Sequence, residues 1–175
     1  MAPKRKTAQG ESTPGSAKKS KSATKLSVGD EIDTVDVTLM MEDEKEVTLK
    51  ELTEKHGIVI FMYPRANTPG CTKQACGFRD DYEKFKKCGF EVYGMSYDKP
   101  KSQKNWKIKY TLPYHLLTDE SGAAIKAFGA NKAPKGVIRS HIVIAKGGKV
   151  LDIRNKISPG DSFTSALETA EEHSK

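Results

Sequence analysis

The sequence contains few cysteines, and their number and spacing exclude several classes of protein. Three thiols among 175 residues are too few, and odd in number, for a disulfide framework. Cys71, Cys76 and Cys88, taken with the four histidines, show none of the close paired spacings of zinc sites, so we expect no structural metal. Four residues, not two, separate Cys71 from Cys76, which argues against an oxidoreductase of the CxxC type. With no signal-peptide pattern, this usage predicts a reducing, intracellular compartment.

Long apolar runs and N-terminal acidic residues are also lacking. No run is long enough to cross a bilayer, so we expect a soluble protein without membrane contact. Residues 1–25 hold seven Lys and Arg against a single acid, Glu11, and so carry +6 of the formal net charge of +7. This segment has no large apolar residue after Met1, and we expect it to be a disordered tail. The remainder is nearly neutral, which gives no reason to expect a nucleic-acid-binding face there.

Two basic clusters in this tail, Lys4-Arg5-Lys6 and Lys18-Lys19-Ser20-Lys21, resemble a bipartite nuclear localisation signal. They predict that an import receptor recognises the tail and that the protein is nuclear. If the clusters do not act as an import signal, we expect a cytoplasmic protein. Two other interpretations of the tail stay open: it only increases solubility, or it contacts nucleic acid weakly through its charge.

Residues 26–175 alternate between strand and helix patterns, which predicts one α/β domain with a mixed central sheet flanked by helices. Thr48 and Glu51 are spaced as a capping box, and Asp161 or Ser162 is the expected cap of the last helix. The predicted strands are 35–40, 58–63, 90–97 and 116–117, with a hairpin of 137–145 and 149–153. The predicted helices are 48–54, 71–87, 99–110, 121–128 and 161–173.

The segment around Cys71 has the features of a reactive thiol site. The apolar run 58–63 ends in two prolines and a glycine, and Cys71 then stands at the start of a predicted helix. A helix N-terminus favours a negative charge, and the thiolate is the nucleophilic form of cysteine. The alternative is that Cys71 and Cys76 are two inert cysteines of an ordinary helix.

The spacing of Cys71 and Cys76 limits how they can react with each other. Five positions along an intact α-helix place two Cα atoms roughly 8.7 Å apart. A disulfide needs Cα atoms within about 7 Å. If these cysteines do form a disulfide, the first turn of the helix must unwind.

The pattern Pro64-x-x-x-Thr68-x-x-Cys71 resembles the active-site motif of the peroxiredoxins. The longer run TPGCTKQACGFRD is similar to that of their PrxQ, or bacterioferritin comigratory protein, branch, and the similarity extends over nearly all of residues 26–170. With its basic tail, the chain is similar to the nuclear thiol peroxidases of fungi within that branch. The resemblance implies a thioredoxin-like peroxiredoxin fold, a monomer, and thiol-dependent reduction of hydrogen peroxide and alkyl hydroperoxides without a metal, haem or flavin.

The resemblance also implies a role for each matching residue. Cys71 is the expected peroxidatic cysteine, which is oxidised to a sulfenic acid, and Cys76 the resolving cysteine, which forms an intramolecular disulfide with it. Thr68 is expected to position the peroxide and Pro64 to shield the site from water. Arg139 is expected to stabilise the thiolate and the charge on the leaving oxygen. Thioredoxin is the expected reductant of the disulfide.

Two further residues, His141 and Cys88, lie outside this motif. His141 lies two residues beyond Arg139, and we expect both on one strand face, with His141 a satisfied structural histidine rather than one that tunes the thiol. Cys88, at the predicted helix end before Gly89, is expected to be a bystander.

A different class of function stays open: a chromatin-associated binding or redox-sensing protein, held near nucleic acid by its tail, whose disulfide transmits a signal.

Overall fold

The computed structural model describes residues 25–174. The expected disordered tail therefore lies outside the described residues, apart from Lys25. Leu26 is buried, and its N–H donates to the carbonyl of Ala127 across 2.7 Å, so the packed part of the chain has begun by this residue.

Nine strands and six α-helices follow in the order of an α/β protein. The strands are β1 (Thr38–Met41), β2 (Glu46–Thr48), β3 (Gly57–Met62), β4 (Phe90–Ser96), β5 (His115–Thr118), β6 (Asn131–Lys132), β7 (Gly136–Val137), β8 (Ser140–Ile144) and β9 (Val150–Asn155). The helices are α1 (Leu49–Thr53), α2 (Pro69–Asp80), α3 (Tyr82–Lys87), α4 (Pro100–Tyr110), α5 (Ala123–Ala127) and α6 (Pro159–Glu172). None of these helices combines the length and apolar character that crossing a bilayer requires.

Seven strands form one mixed sheet in the order β2-β1-β5-β4-β3-β8-β9, whereas β6 and β7 form a separate ribbon. At its centre, β3 pairs with β4 in parallel and with β8 in antiparallel register. Every residue of β3 is buried, as its continuous apolar sequence predicts for a strand covered on both faces. The predicted mixed central sheet is therefore present.

Helices cover both faces of this sheet, and the side chains of β3 alternate between two apolar clusters. Ile58, Ile60 and Met62 face the cluster that contains α1 and α5. Val59 and Phe61 face the other cluster, which contains α2, α3, α4 and α6. Because Tyr63 continues this second face, the chain leaves β3 on the side where α2 begins.

Three details of the predicted elements are wrong. The single helix predicted over 71–87 is two helices, because Asp81 leaves the helical region at φ −98° and ψ 7°, as a residue of low helix propensity can. A short strand, β2, pairs with β1, although no strand was predicted between residues 40 and 58. The strand predicted from residue 137 begins at Ser140, because Val137 pairs with Asn131 in the ribbon.

The helix caps give one success and one error. The capping box of Thr48 and Glu51 is confirmed: the Thr48 hydroxyl accepts from the Glu51 N–H, and the Glu51 carboxylate accepts from the Thr48 N–H. The last helix is not capped by Asp161 or Ser162 but by Ser158, whose hydroxyl accepts from the Asp161 N–H across 3.1 Å. Pro159 occupies the first helical position, where its lack of an N–H loses nothing.

Candidate active site

The loop between β3 and α2 places Cys71 in the first turn of a helix. Thr68 is the N-cap, Pro69 stands at the N-terminal end of α2, and Cys71 follows two residues later, so the helix begins slightly earlier than predicted. The Ala66 N–H donates to the Asp98 carboxylate across 2.8 Å, which holds this loop to the segment between β4 and α4. A thiolate at Cys71 therefore lies where unpaired helix N–H groups favour negative charge.

The side chain of Cys71 is only 1 % exposed, and one cation reaches it. Nη1 of Arg139 lies 3.5 Å from Sγ of Cys71, although the two residues are 68 positions apart in the chain. Arg139 sits in a bend just before β8 and not on the strand, so the expectation that it shares a strand face with His141 is wrong. A guanidinium stays protonated at any accessible pH, so it supplies fixed positive charge beside a buried sulfur.

Glycine at position 70 gives the guanidinium the space it occupies. A Cβ atom added to Gly70 would lie 2.9 Å from Nη2 of Arg139, closer than side chains normally pack. Any larger residue at position 70 would therefore push Arg139 away from the N-terminal end of α2.

Thr68 and Pro64 lie in the same loop as the sequence motif requires. The Thr68 hydroxyl donates to the carbonyl of Arg65 across 2.8 Å, so its oxygen keeps lone pairs that can accept a hydrogen bond. Pro64 is exposed and directly follows Tyr63, the buried residue that ends the apolar run. Beside this loop is a cavity of about 560 Å³, lined by Arg65, Asn67, Thr68, Asn105, Trp106 and Lys109.

Cys76 lies on the same helix, and all three cysteines are free thiols. Its neighbours on α2 tie this part of the helix to α4. The Thr72 hydroxyl accepts from the indole N–H of Trp106 across 3.2 Å, and Nη1 of Arg79 donates to the carbonyl of Tyr110 across 2.8 Å. Cys76 is half-buried, whereas Cys71 is buried, so the two thiols occupy different environments on one intact helix.

Sequence reasoning missed Gln74, which joins the site from within α2. Gln74 is fully buried, and its Oε1 accepts across 3.1 Å from Nη1 of Arg139, the same nitrogen that faces the Cys71 sulfur. The available signal was its position: residues 71, 74, 75 and 78 share one helix face, and a polar side chain on an otherwise apolar face requires a buried partner.

Cys88 lies at the C-terminal end of α3, apart from the motif. Burial, and to a smaller degree the Glu171 carboxylate, raises the pKa of its thiol. A protonated thiol is a poor nucleophile, which agrees with the expectation of a bystander.

Within residues 25–174, one group of side chains has the composition of a metal site, formed by Glu42, Asp43 and His115. The Glu42 carboxylate already accepts from Lys107 Nζ at 3.1 Å and from the Leu116 N–H at 2.9 Å, and it lies 3.0 Å from His115 Nδ1. Burial alone raises the pKa of Glu42, but these hydrogen bonds outweigh it and lower the pKa to about 2. An ammonium group in contact with the carboxylate competes with a cation, so we interpret this group as an ion-pair network.

Comparison with known proteins places this chain in a family. Residues 28–153 match the model of the AhpC/TSA family. The chain is 48% identical over 136 residues to peroxiredoxin bcp1 of Schizosaccharomyces pombe. The matched region covers 77% of this chain and 69% of that protein. It is 47% identical over 120 residues to the chloroplastic peroxiredoxin Q of Gentiana triflora, which covers 67% of this chain. The match spans only 55% of the length of that plant protein.

Solved structures show the same arrangement of strands and helices. Peroxidoxin BcpB of Mycobacterium tuberculosis is 30% identical, with a TM-score of 0.78 over 85% of this chain and 98% of that one. A bacterioferritin comigratory protein of Xanthomonas campestris, studied for its alkyl peroxide reduction activity, is 26% identical, with a TM-score of 0.75 over 81% of this chain and 94% of that one. These similarities confirm the predicted thioredoxin-like α/β fold.

Proposed function

Because this chain belongs to the AhpC/TSA family, within its peroxiredoxin Q and bacterioferritin comigratory protein branch, we propose that it reduces hydrogen peroxide and alkyl hydroperoxides through Cys71. The observation that carries the proposal is the position of Cys71 in the first turn of α2, with Nη1 of Arg139 3.5 Å from its sulfur. A helix N-terminus and a fixed cation both stabilise the thiolate, which is the attacking form.

In the first step, the Cys71 thiolate attacks one oxygen of the peroxide. An S–O bond forms, the O–O bond breaks, and the sulfur becomes a sulfenic acid while the second oxygen takes a proton and leaves as water or an alcohol. Arg139 stabilises the charge that develops on the leaving oxygen. Thr68, whose own proton is engaged by Arg65, is expected to accept the hydrogen bond of the peroxide O–H. Pro64 shields the sulfur from water.

A similar protein supports the inclusion of alkyl hydroperoxides among the substrates. Alkyl peroxide reduction is the activity studied in the Xanthomonas campestris relative.

In the second step, Cys76 attacks the sulfur of the Cys71 sulfenic acid. An S–S bond forms and water leaves, which yields the intramolecular disulfide. A dithiol protein of the thioredoxin class then attacks this disulfide, passes through a mixed disulfide, and returns both cysteines to thiols as its own pair becomes oxidised. The electrons in this cycle come from thiols alone, so we propose that no prosthetic group takes part.

An NADPH-coupled assay with thioredoxin and its reductase tests both cysteine roles. We expect Cys71→Ser to abolish peroxide reduction and Cys76→Ser to reduce it strongly, because the sulfenic acid then has no partner on the chain. Cys88→Ser is the matched control and should keep full activity. Full activity of Cys71→Ser would refute the proposed function, and full activity of Cys76→Ser would refute the resolving role alone.

For the whole chain, we propose a basic tail over residues 1–25 and a monomeric peroxiredoxin domain over residues 26–175. The two basic clusters support nuclear import, and the seven Lys and Arg of the tail support weak contact with nucleic acid. Residues 1–25 fused to a fluorescent protein should accumulate in the nucleus, and alanine substitution of both clusters should prevent this. Equal distribution of both fusions would contradict the import proposal. Light scattering after size exclusion measures the oligomeric state.

A further inference from the structure

A line of buried polar side chains leads away from Arg139 into the contact between α2, α6 and β8. Gln74, Ser162 and His141 are all fully buried. Nε2 of Gln74 donates to Oγ of Ser162 across 3.0 Å, and the same Oγ lies 3.0 Å from Nδ1 of His141. These residues come from three separate parts of the chain, and a buried polar group that loses its hydrogen bond destabilises the fold.

The guanidinium at one end fixes which end of the Gln74 amide faces Arg139 and which faces Ser162. Arg139 can only donate, so the amide oxygen of Gln74 must face it and the amide nitrogen must face Ser162. The Ser162 oxygen accepts from that nitrogen, so its single proton is available for His141. With that proton directed at His141, Nδ1 accepts it and the proton of the neutral ring lies on Nε2.

The surroundings of His141 are consistent with a neutral ring. Burial is the main cause that lowers the pKa of His141, to about 4. The charged groups facing it lie on β9: the Asp152 carboxylate, 3.9 Å from Nε2, opposes this shift, and Arg154 adds to it. Nε2 has no hydrogen-bond partner among residues 25–174, so the expectation of a fully satisfied histidine is wrong. Only the nitrogen that faces Ser162 is bonded.

We propose that Ser162 and His141 are positioning residues that keep Arg139 in place on Cys71 by anchoring the Gln74 amide. This inference rests on the proposed function and deepens it. Without the Ser162 acceptor, the buried NH₂ group of Gln74 loses its partner, and the side chain moves to satisfy it, which withdraws the amide oxygen from the guanidinium. Arg139 then loses a fixed acceptor, and the Cys71 thiolate loses part of its stabilisation.

Alkylation of Cys71 by iodoacetamide across a range of pH tests this proposal without peroxide turnover. The full-length protein carries Cys76→Ser and Cys88→Ser, so that Cys71 is its only thiol. We expect Ser162→Ala and His141→Phe to move the midpoint of alkylation upward by about one pH unit, since a tenfold change in thiolate population corresponds to one unit. In the otherwise native chain, peroxide reduction should slow by about tenfold.

Matched variants separate positioning from packing. Ser162→Thr keeps the hydroxyl, and His141→Asn places an acceptor near the position of Nδ1, so both should restore the native midpoint. Ser165→Ala, about one turn further along α6, should leave the midpoint unchanged. An unchanged midpoint in folded Ser162→Ala, or an equal shift in Ser165→Ala, would overturn the proposal.

A second measurement on the wild-type protein does not depend on any variant folding. Nitrogen NMR of ¹⁵N-histidine-labelled protein at pH 7 should show the His141 ring as neutral and protonated at Nε2, with Nδ1 accepting a hydrogen bond. Its disappearance in His141→Asn assigns the signal. A ring protonated at Nδ1 would refute the inferred direction of the hydrogen bond between Ser162 and His141.

The positioning role and the proposed function can fail separately. If peroxide reduction is absent while the alkylation shifts appear, the proposed function fails and the positioning role stands.

Discussion

Treating the reduced protein with one equivalent of hydrogen peroxide should open the N-terminal part of α2. Cys71 and Cys76 both lie in this helix, Pro69–Asp80, and five positions of an intact helix separate their Cα atoms by roughly 8.7 Å. A disulfide tolerates about 7 Å at most. The two Cα atoms must therefore approach by about 2 Å, which a regular α-helix cannot accommodate.

The contacts of the reduced state set the size of the expected effect. Opening this turn breaks the hydrogen bond from the Thr72 N–H to the Thr68 carbonyl, the bond from Trp106 to the Thr72 hydroxyl, and the contact of Arg139 with the Cys71 sulfur. At a net contribution of about 1 kcal/mol each, the reduced helix end is protected by about 3 kcal/mol. That value corresponds to roughly a hundredfold slowing of amide exchange.

Hydrogen–deuterium exchange followed by mass spectrometry measures this protection directly. Peptides that cover residues 70–80 should lose most of their protection on oxidation, whereas peptides from β3 should not change. Cys76→Ser is the matched control, because the same treatment oxidises its Cys71 without allowing the intramolecular disulfide. If residues 70–80 keep their protection after the disulfide has been verified by mass, the helix argument is wrong.

Three substitutions test other parts of the structure. Gly77→Ala should destabilise the fold by about 1–3 kcal/mol in urea unfolding, since the new Cβ would overlap the ring of Phe163 at the contact of α2 with α6. Burial raises the pKa of Glu42, but its hydrogen bonds lower it from 4.5 to about 2. Its carboxylate therefore stabilises the fold by about 3 kcal/mol above pH 4.5 and loses this effect as the pH falls toward 2. In Glu42→Gln, the free energy of unfolding should therefore depend less on pH over that window. Gly70→Ala should displace Arg139 and slow peroxide reduction by about tenfold with little change in stability.

Each of these expectations has a clear contrary result. A Gly77→Ala protein as stable as the wild type would mean that the helix contact is loosely packed. Equal acid sensitivity of Glu42→Gln and the wild type would show that other carboxylates control acid unfolding. An unaffected rate in Gly70→Ala would mean that the guanidinium yields at no cost to catalysis.

The local sequence was sufficient to predict the elements whose signals are local. The apolar run at 58–63 predicts the buried central strand, and Thr48 with Glu51 predicts its capping box, because each pattern is complete within a few residues. The motif through Cys71 predicts the family for the same reason. Arg139 was found only through the resemblance, since nothing within its own segment points to a thiol 68 positions away.

Features that depend on packing between distant segments were not predictable in this way. Gln74 meets Ser162 from 88 positions away, and neither residue has a neighbour in sequence that reveals the contact. The apolar residues keep their regular spacing across the helix break at Asp81, so periodicity alone predicts one continuous helix there. The strand β2 is exposed or half-buried along its length, and its pairing with β1 therefore has no hydrophobic signature.

Trp106 is the only tryptophan of the chain, and it is 2 % exposed. Its indole N–H donates to Thr72, the residue that follows Cys71, and its ring lies 5.0 Å from that of Tyr63. An indole that loses this partner and meets water changes the wavelength and intensity of its emission. The intrinsic fluorescence of the protein is therefore expected to differ between the dithiol and disulfide forms, which makes every turnover observable in real time without a coupled enzyme or an added dye.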